Sequence, residues 1–525
     1  MENLKELLEN GRVFEATYTT VDSGLNSYWA DNPFIEALPP ILTEVDFFSF
    51  VTDLPPFVPE IRERDRQQRI AQVDQCMRLT VPMKAHLFLK QRFDRIIRDG
   101  YGNRNPIKNP HFLGLHDKLE LAKKLTGYAL GKPTIPTSPG FSIIGIGGVG
   151  KTHGLDIVLS AYPQVLVHKE YTDSQEVVHQ LLRVQIVYLK ITCPPDGSLK
   201  ALCDAFFQAV DALLDTNYYE EYGTKTNKYR TAAQMVPNMA LVASVCSLGV
   251  LVIDEIQYLS KQKSGGVELM LHFFSYLMDL IQVPVILVGT PKADDILDGA
   301  FWQMRRNAGQ GHFEWHRLKR DEDSRLKQDE DPGLKKADHR NLNCEWERFL
   351  VNIWKYQFTQ KPVRLENGLV PKEFSDVLYA ESQGIIDFAL KLFRLSQERA
   401  MNNRTEQLTP ELITQIAKDL FGKMRVIVQA LATGKPPEGL TIDDIKFKID
   451  KSFKEIHDQN LDLNKSPNNL VNSEQKQKPT KKTLGDPSLA QPLLDCFDTA
   501  IRENNDVINA MREAHFILSA REFGG

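Results

Sequence analysis

The sequence lacks the features that mark several special classes of protein. Its 525 residues contain no uninterrupted apolar run of about 18, the length that a membrane-spanning helix needs, so no membrane partner is expected. The formal net charge of −5 excludes a wholly basic nucleic-acid binder but leaves room for a local basic groove. The six cysteines show no CxxC spacing and residues 1–6 are polar, so we expect reduced thiols, no signal peptide and a cytoplasmic location.

The composition changes along the chain and predicts five regions. Prolines and isolated aromatic residues mark residues 1–110, which we expect to form an extended N-terminal arm and the start of the nucleotide site. Residues 111–318 alternate short apolar runs with helical patterns, which is typical of an α/β ATPase core with a parallel sheet flanked by helices. A charged hinge is predicted at 319–343, a helical lid at 344–433 and a partly disordered C-terminal tail at 434–525.

Apolar patterning also predicts individual strands and helices. Short runs rich in Val and Ile indicate buried strands at 141–144, 185–191, 249–253 and 284–288. Helical periodicity indicates helices at 83–98, 200–214, 232–246 and 267–281, and lid helices within 346–358, 385–395 and 412–431.

A glycine-rich phosphate-binding loop is the strongest motif. Its glycines let backbone N–H groups turn toward phosphates, its lysine bridges the β and γ oxygens, and its threonine ligates Mg²⁺. The pattern GxxxxGK[ST] is met by Gly145, Ile146, Gly147, Gly148, Val149, Gly150, Lys151 and Thr152. A strand is predicted before it and a helix after it, so we predict that these residues, with the adjacent His153, bind ATP and Mg²⁺.

Acidic and polar residues end the next two predicted strands of the core. The strand at 249–253 leads into Asp254 and Glu255, a Walker B pattern in which Asp254 holds Mg²⁺ and Glu255 polarises the attacking water. Pairing Asp with Glu indicates an ATPase of the AAA+ type. The strand at 284–288 leads to Thr290, where AAA+ proteins place a water-positioning sensor, although a threonine at a strand end is also common without such a role.

Two further pairs of residues are candidates with an open alternative. Arg305 or Arg306 is predicted to reach the γ-phosphate bound by a neighbouring subunit, unless both are a solvated basic pair at a helix end. Tyr101 is predicted to stack on adenine and Arg104 to reach phosphate or base, unless this segment is a helix-stop loop without ligand contact.

Several motifs outside the general ATPase pattern are distinctive. They are DNPFIEALPP at 31–40, residues 98–106, GSLK at 197–200, VIDEIQYLS at 252–260 and GTPKA at 289–293. With these motifs, residues 25–433 resemble the TnsC family, AAA+ ATPases that regulate cut-and-paste transposons carrying a TnsA/TnsB transposase. One departure is that the lid has Asp387, followed by Lys391, near the point where many AAA+ lids present a sensor arginine.

The resemblance implies a bacterial, nucleoid-associated regulator that neither cuts nor joins DNA. ATP-bound subunits would assemble as a ring or filament on double-stranded target DNA, receive a signal from a TnsD/TniQ-type target selector, and recruit TnsA and TnsB. We expect the N-terminal arm, with Trp29 and Phe34, to dock the selector, unless these aromatic residues pack on the protein's own core. We expect the C-terminal tail to hold the transposase.

Basic residues near the second core strand are the candidate DNA contacts. An acidic chain that binds DNA must concentrate its basic residues where the phosphates run, and the binding should be sequence-tolerant. The candidates are Ser198, Lys200, Thr224, Lys225 and Lys228, although the last two also fit a solvated loop. The alternative function is a DNA-acting initiator, loader or remodelling AAA+ ATPase, but residues 193–200 lack the aromatic pore loop that a remodeller needs.

Overall fold

The computed structural model describes most of the chain between residues 13 and 432. The described residues are 13–21, 29–102, 104–108, 140–259, 283–293, 312–320, 340, 342–420, 428 and 430–432. The predicted helix at 267–281, residues 305 and 306, most of the charged hinge and the C-terminal tail lie outside them. Within the described residues, no helix is both long and apolar enough to cross a membrane.

The secondary structure alternates between strands and helices in the core and is helical toward the C-terminal side. The strands are β1 (Phe14–Glu15), β2 (Phe141–Ile144), β3 (Val165–Thr172), β4 (Val178–Ile186), β5 (Tyr188–Thr192), β6 (Val250–Asp254), β7 (Val285–Gly289) and β8 (His312–Glu314). The helices are α1 (Pro33–Glu36), α2 (Glu44–Val51), α3 (Arg66–Gln72), α4 (Lys84–Gly102), α5 (Lys151–Ser160), α6 (Leu199–Leu214), α7 (Tyr218–Tyr222), α8 (Ala232–Val245), α9 (Glu345–Trp354), α10 (Lys372–Ser382), α11 (Ile386–Asn402) and α12 (Pro410–Leu420).

A parallel sheet with the strand order β5-β6-β7-β2-β8 forms the centre of the core. Strands β6 and β7 are buried at every position because helices cover both faces of the sheet. On one face Leu251 and Ile253 pack with α6 and α8, and on the other Val250 and Val252 pack with α4 and α5. The predicted α/β fold, a parallel sheet flanked by helices, is confirmed.

A second, three-stranded sheet was not predicted. Its order is β1-β3-β4, in which β3 and β4 form an antiparallel hairpin and β1 runs parallel to β3. The single strand predicted at 185–191 is wrong, because β4 ends at Ile186 and β5 begins at Tyr188 in the other sheet. Since both strands are apolar at this junction, the hydrophobic pattern runs through it without a break.

The N-terminal residues form short helices that pack on the core. Pro33 occupies the first turn of α1, where a missing N–H costs nothing, and Asn32 caps that helix. Phe34 and Phe47 are buried against α4 and the central sheet, and the Trp29 Nε1 donates a hydrogen bond to Asp99 Oδ1 at 3.3 Å. The packing alternative is therefore correct for Phe34, whereas Trp29 is half-buried and its docking role stays a prediction.

Residues 53–81 pack on the lid instead of the sheet. Val73, Cys76 and Leu79 share an apolar core with α9, α10, α11 and α12, whose largest buried side chain is Trp346. Arg69 on α3 pairs with Glu406 of the lid at 2.7 Å. The N-terminal region is thus divided between two cores, and it connects the sheet to the lid.

Candidate nucleotide-binding site

The phosphate-binding loop lies between β2 and α5, as its sequence predicts. Gly148 and Gly150 have φ values of 81° and 95°, a left-handed backbone that side-chain-bearing residues rarely adopt. Helix α5 begins at Lys151, directly after the loop, so its unpaired N–H groups and the positive end of its dipole face the loop. This arrangement is typical of an anion-binding site.

Two side chains stabilise the loop in its present form. The Lys151 Nζ donates hydrogen bonds to the carbonyl oxygens of Gly145 at 2.7 Å and Ile146 at 3.0 Å. The Trp315 Nε1, just after β8, donates to the Val149 carbonyl at 3.0 Å, and the indole is 2% exposed. Sequence reasoning missed Trp315, since nothing in the local sequence links it to a loop so far away along the chain.

The predicted magnesium ligands are adjacent. The Thr152 Oγ1 donates to Asp254 Oδ2 at 3.0 Å, and the backbone N–H of Glu255 donates to Asp254 Oδ1 at 2.8 Å. On the same side, Lys190 pairs with Asp156 and lies 3.9 Å from Asp254 Oδ2. A hydroxyl and a carboxylate oxygen at this spacing, beside an anion-binding loop, fit Mg²⁺, which binds one or two protein oxygens and phosphate.

Glu255 and Thr290 lie at the carboxyl ends of two neighbouring strands. Because β6 and β7 are paired in parallel, the residues that follow them share one edge of the sheet. Glu255 is half-exposed, and Thr290 is 8% exposed. The structure therefore brings the predicted base and sensor to the edge that also carries Asp254.

The lid contacts the phosphate-binding loop directly. The backbone N–H of Asp387, in the first turn of α11, donates to the Gly148 carbonyl at 3.1 Å. A Cβ at position 148 would lie 3.2 Å from the Asp387 Cβ, so the glycine permits this approach. The Asp387 carboxylate pairs with Lys391 at 2.6 Å, which places an ion pair near the point where many AAA+ lids present a sensor arginine.

The predicted contacts of Tyr101 and Arg104 with the nucleotide do not fit the structure. The Tyr101 hydroxyl donates to the Ser247 carbonyl at 2.8 Å, and the ring is fully buried. Arg104 donates to the Gly100 and Leu248 carbonyls, and burial lowers its pKa to about 10. Both side chains stabilise the core, because the C-terminal end of α4 packs on one face of the central sheet and not beside the phosphate-binding loop.

Three predicted residues of the nucleotide site remain, namely His153, Arg305 and Arg306. His153, on the exposed side of α5, forms a hydrogen bond of 3.0 Å between its Nε2 and the Thr80 Oγ1. It therefore contacts the residues that pack on the lid. The candidate arginines 305 and 306 lie outside the described residues, and both stay predictions.

The candidate DNA contacts form one cluster at the start of α6. The Ser198 Oγ accepts the N–H of Ala201 and so caps this helix. The Lys200 Nζ donates to the Lys228 carbonyl, which places the Lys200 ammonium beside the backbone of Lys228. The neighbouring Tyr229 is 93% exposed, a feature that sequence reasoning did not single out.

Acidic residues hold the other two members of the cluster. The Asp204 carboxylate accepts from both the N–H of Thr224 at 2.9 Å and its Oγ1 at 2.6 Å. Lys225 pairs with Glu220 at 2.8 Å on the surface. Lys200 and Lys228 are thus the better candidates for phosphate contact.

Part of the core matches a known family model. Residues 139–297 match the family model described as an AAA domain. A search of curated proteins found no match.

Similar solved structures include the following three. The Orc1 protein of Aeropyrum pernix, solved in complex with DNA, is 16% identical with a TM-score of 0.32, covering 58% of this chain and 64% of that one. Cdc6p of Pyrobaculum aerophilum is 11% identical with a TM-score of 0.33, covering 65% and 85%. A Walker-type ATPase of Pyrococcus abyssi is 14% identical with a TM-score of 0.31, covering 61% and 76%. At these identities and TM-scores the similarity carries no argument about what this protein does.

Proposed function

We propose that this protein hydrolyses ATP and uses the ATP-bound state to act on DNA. The observation that carries the ATPase proposal is the 3.0 Å contact between Thr152 of the phosphate-binding loop and Asp254 of the Walker B strand. These residues are far apart in sequence, and only the folded sheet brings their oxygens together beside the N-terminus of α5.

Each residue of the site has a chemical role in this proposal. Lys151 exchanges its two loop carbonyls for phosphate oxygens and neutralises their charge. Thr152 and Asp254 hold Mg²⁺, which when bound offsets the negative charge of the phosphates. Glu255 orients a water and accepts its proton, and Thr290 helps to place that water.

Two substitutions test the ATPase proposal. Lys151→Ala should abolish ATP binding, whereas Glu255→Gln should bind ATP with wild-type affinity but hydrolyse it at least about a hundredfold more slowly. Lys169→Ala is the matched control, since Lys169 is an exposed lysine on the hairpin that pairs with Glu15 at the surface. Wild-type hydrolysis in Glu255→Gln would contradict the assignment of the base.

The finer proposal is a TnsC-type transposition regulator. The support is the set of motifs at 31–40, 197–200, 252–260 and 289–293, together with an AAA domain that carries a complete Walker A and Walker B pair. In this proposal ATP-bound subunits form a ring or filament on target DNA at the bacterial nucleoid. They link a TnsD/TniQ-type selector to TnsA and TnsB, the latter through the C-terminal tail. Electron microscopy on duplex DNA, with and without a non-hydrolysable ATP analogue, tests the assembly.

DNA contact is assigned to the cluster at the start of α6. The Lys200 ammonium lies beside the backbone of Lys228, next to the exposed Tyr229. Contacts from such lysines to phosphate carry no sequence information, so we expect sequence-tolerant binding. Lys200→Ala with Lys228→Ala should weaken ATP-dependent DNA binding and reduce the salt slope by about 2, roughly one unit per lost phosphate contact. Lys372→Ala, an exposed lysine on the lid, is the control. An unchanged salt slope would refute the assignment.

We assign the selector-binding surface to the exposed apolar side chains of the N-terminal region. Phe34 is buried, but Ile41, Val45 and Phe50 are 54%, 76% and 49% exposed. Exposed apolar side chains in one segment are typical of a protein-binding surface. Val45→Glu should abolish selector binding and leave ATP hydrolysis unchanged, whereas intact selector binding would place that interface elsewhere.

A further inference from the structure

The side-chain amide of Gln257 lies between the proposed base and the proposed sensor. Gln257 belongs to the short 3-10 turn Ile256–Tyr258 that follows β6. Its Nε2 donates a hydrogen bond to Glu255 Oε2, and its Oε1 accepts the backbone N–H of Thr290 at 3.2 Å. One amide therefore connects the residues that follow two neighbouring strands.

The two partners need a hydrogen-bond acceptor on one side and a donor on the other, and an amide supplies both. The Thr290 N–H can only donate, and an ionised carboxylate such as Glu255 can only accept. A glutamine offers one acceptor and one donor group, so a single orientation of its amide satisfies both partners. A glutamate would place two carboxylates together, and an apolar side chain would satisfy neither partner.

The backbone leaves space for this amide at Gly289. A Cβ at position 289 would lie 3.0 Å from Gln257 Oε1 and 2.8 Å from Ile256 Cγ1, both closer than ordinary contact. The last residue of β7 is therefore small where the glutamine side chain crosses to Thr290. We expect Gly289→Ala to displace the amide, while the Gly289 backbone carbonyl can still accept the N–H of Gly145 in the phosphate-binding loop, as it does here at 3.3 Å.

The residues at both ends of the link have unusual local structure. Glu255 has a φ of 59°, a left-handed conformation that is costly for a residue with a side chain and is typical of functional sites. The buried Thr290 Oγ1 has no hydrogen-bond partner among the described residues. The Gln257 amide thus holds a strained base on one side and a sensor with an unused hydroxyl on the other.

We propose that Gln257 is a positioning residue that holds the carboxylate of Glu255 and joins it to the sensor strand through the backbone of Thr290. The proposal rests on the ATPase function proposed above. In this arrangement a shift of the chain at Thr290 is transmitted to the base through two hydrogen bonds. Gln257 itself touches neither water nor phosphate in its role; it fixes the direction in which the Glu255 carboxylate points.

Steady-state hydrolysis tests the positioning role. Gln257→Met, similar in size but without the amide, and Gln257→Glu should each lower kcat about tenfold to a hundredfold, as is typical when the partner that orients a reacting group is lost. Affinity for a fluorescent non-hydrolysable ATP analogue should stay within about twofold, because Gln257 lies outside the phosphate-binding loop. Gln208→Met, at an exposed position of α6, should behave as wild type. A wild-type or higher kcat in Gln257→Met would overturn the proposal.

Hydrogen exchange without nucleotide tests the link independently of activity. The Thr290 amide should exchange faster in Gln257→Met, which lacks an acceptor, but stay protected in Gln257→Glu, which keeps one. Gly289→Ala should increase exchange as Gln257→Met does. Unchanged exchange in Gln257→Met would refute the link even if kcat falls. If the wild-type protein hydrolyses no ATP, the proposed function fails, and the exchange result alone decides whether the link exists.

Discussion

Glu406→Gln is predicted to weaken the attachment of the N-terminal region to the lid. The Arg69 side chain is 2% exposed and the Glu406 side chain 13%, and the two form paired hydrogen bonds of 2.7 Å. Arg69 also donates to the carbonyl oxygens of Arg64 and Phe358. A glutamine keeps one acceptor but turns an N–H group toward the guanidinium, which leaves a buried cation without its counter-ion.

The expected loss of folding stability follows from the burial of this ion pair. Breaking a buried ion pair by removing one charge costs about 3–5 kcal/mol, whereas an exposed pair contributes below about 1 kcal/mol. Urea unfolding followed by tryptophan fluorescence measures the difference. Lys372→Met is the matched control, since Lys372 pairs with Asp376 and is 53% exposed. Replacing both partners, with Arg69→Met and Glu406→Met, should recover part of the loss.

The pH dependence of folding stability tests the same ion pair by a second measurement. Hydrogen bonds from Arg69 lower the pKa of Glu406, so the pair stabilises the fold above the ordinary pKa of a glutamate and this contribution is lost as pH falls through the lowered value. The difference in the free energy of unfolding between wild type and Glu406→Gln should therefore become smaller below about pH 4. A loss below about 1 kcal/mol at neutral pH would show that the pair is screened by solvent, and the reasoning would be wrong.

Three further predictions concern buried groups of the core. Tyr101→Phe should lower the free energy of unfolding by about 1–3 kcal/mol, because two carbonyls lose their donor, and leave ATP affinity unchanged in a binding titration. Burial lowers the pKa of His168 from 6.5 to about 4, so the unfolded chain binds a proton at a higher pH than the folded protein does. The free energy of unfolding should therefore fall by up to about 3 kcal/mol as the pH drops from 6.5 to 4. Thermal unfolding of His168→Gln should show a weaker dependence on pH over this range. Gly154→Ala should overlap the Trp315 indole, cost about 1–3 kcal/mol despite the gain in helix propensity, and weaken ATP binding by moving the loop that Trp315 supports.

Local sequence was sufficient to predict the central sheet and its phosphate-binding loop. β2 has the predicted bounds, and β6 and β7 lie within one residue of theirs, because strands buried on both faces carry an apolar run that needs no tertiary information. The glycines of the motif predicted the phosphate-binding loop. Gly148 and Gly150 have positive φ angles, which glycine adopts more easily than other residues. The caps Ser198 and Thr231 likewise begin α6 and α8 near their predicted starts.

The position of the N-terminal region could not be predicted from local patterns. Its prolines indicated extended chain, yet Pro33 begins α1, and the aromatic Phe34 fills the core. Whether an aromatic residue faces a partner or its own protein depends on which surface lies opposite it in the fold. Residue type alone does not contain that information.

The same limit applies to the candidate site. The residue types at 145–152, 254 and 255 predicted a nucleotide site, because phosphate and Mg²⁺ require those groups at that spacing along the chain. The roles of Trp315, Asp387 and Gln257 arise from contacts between segments that are distant in sequence. Tyr101, close to the core in sequence, is enclosed by it instead, because the path of α4 under the sheet is set by packing and not by its own helical pattern.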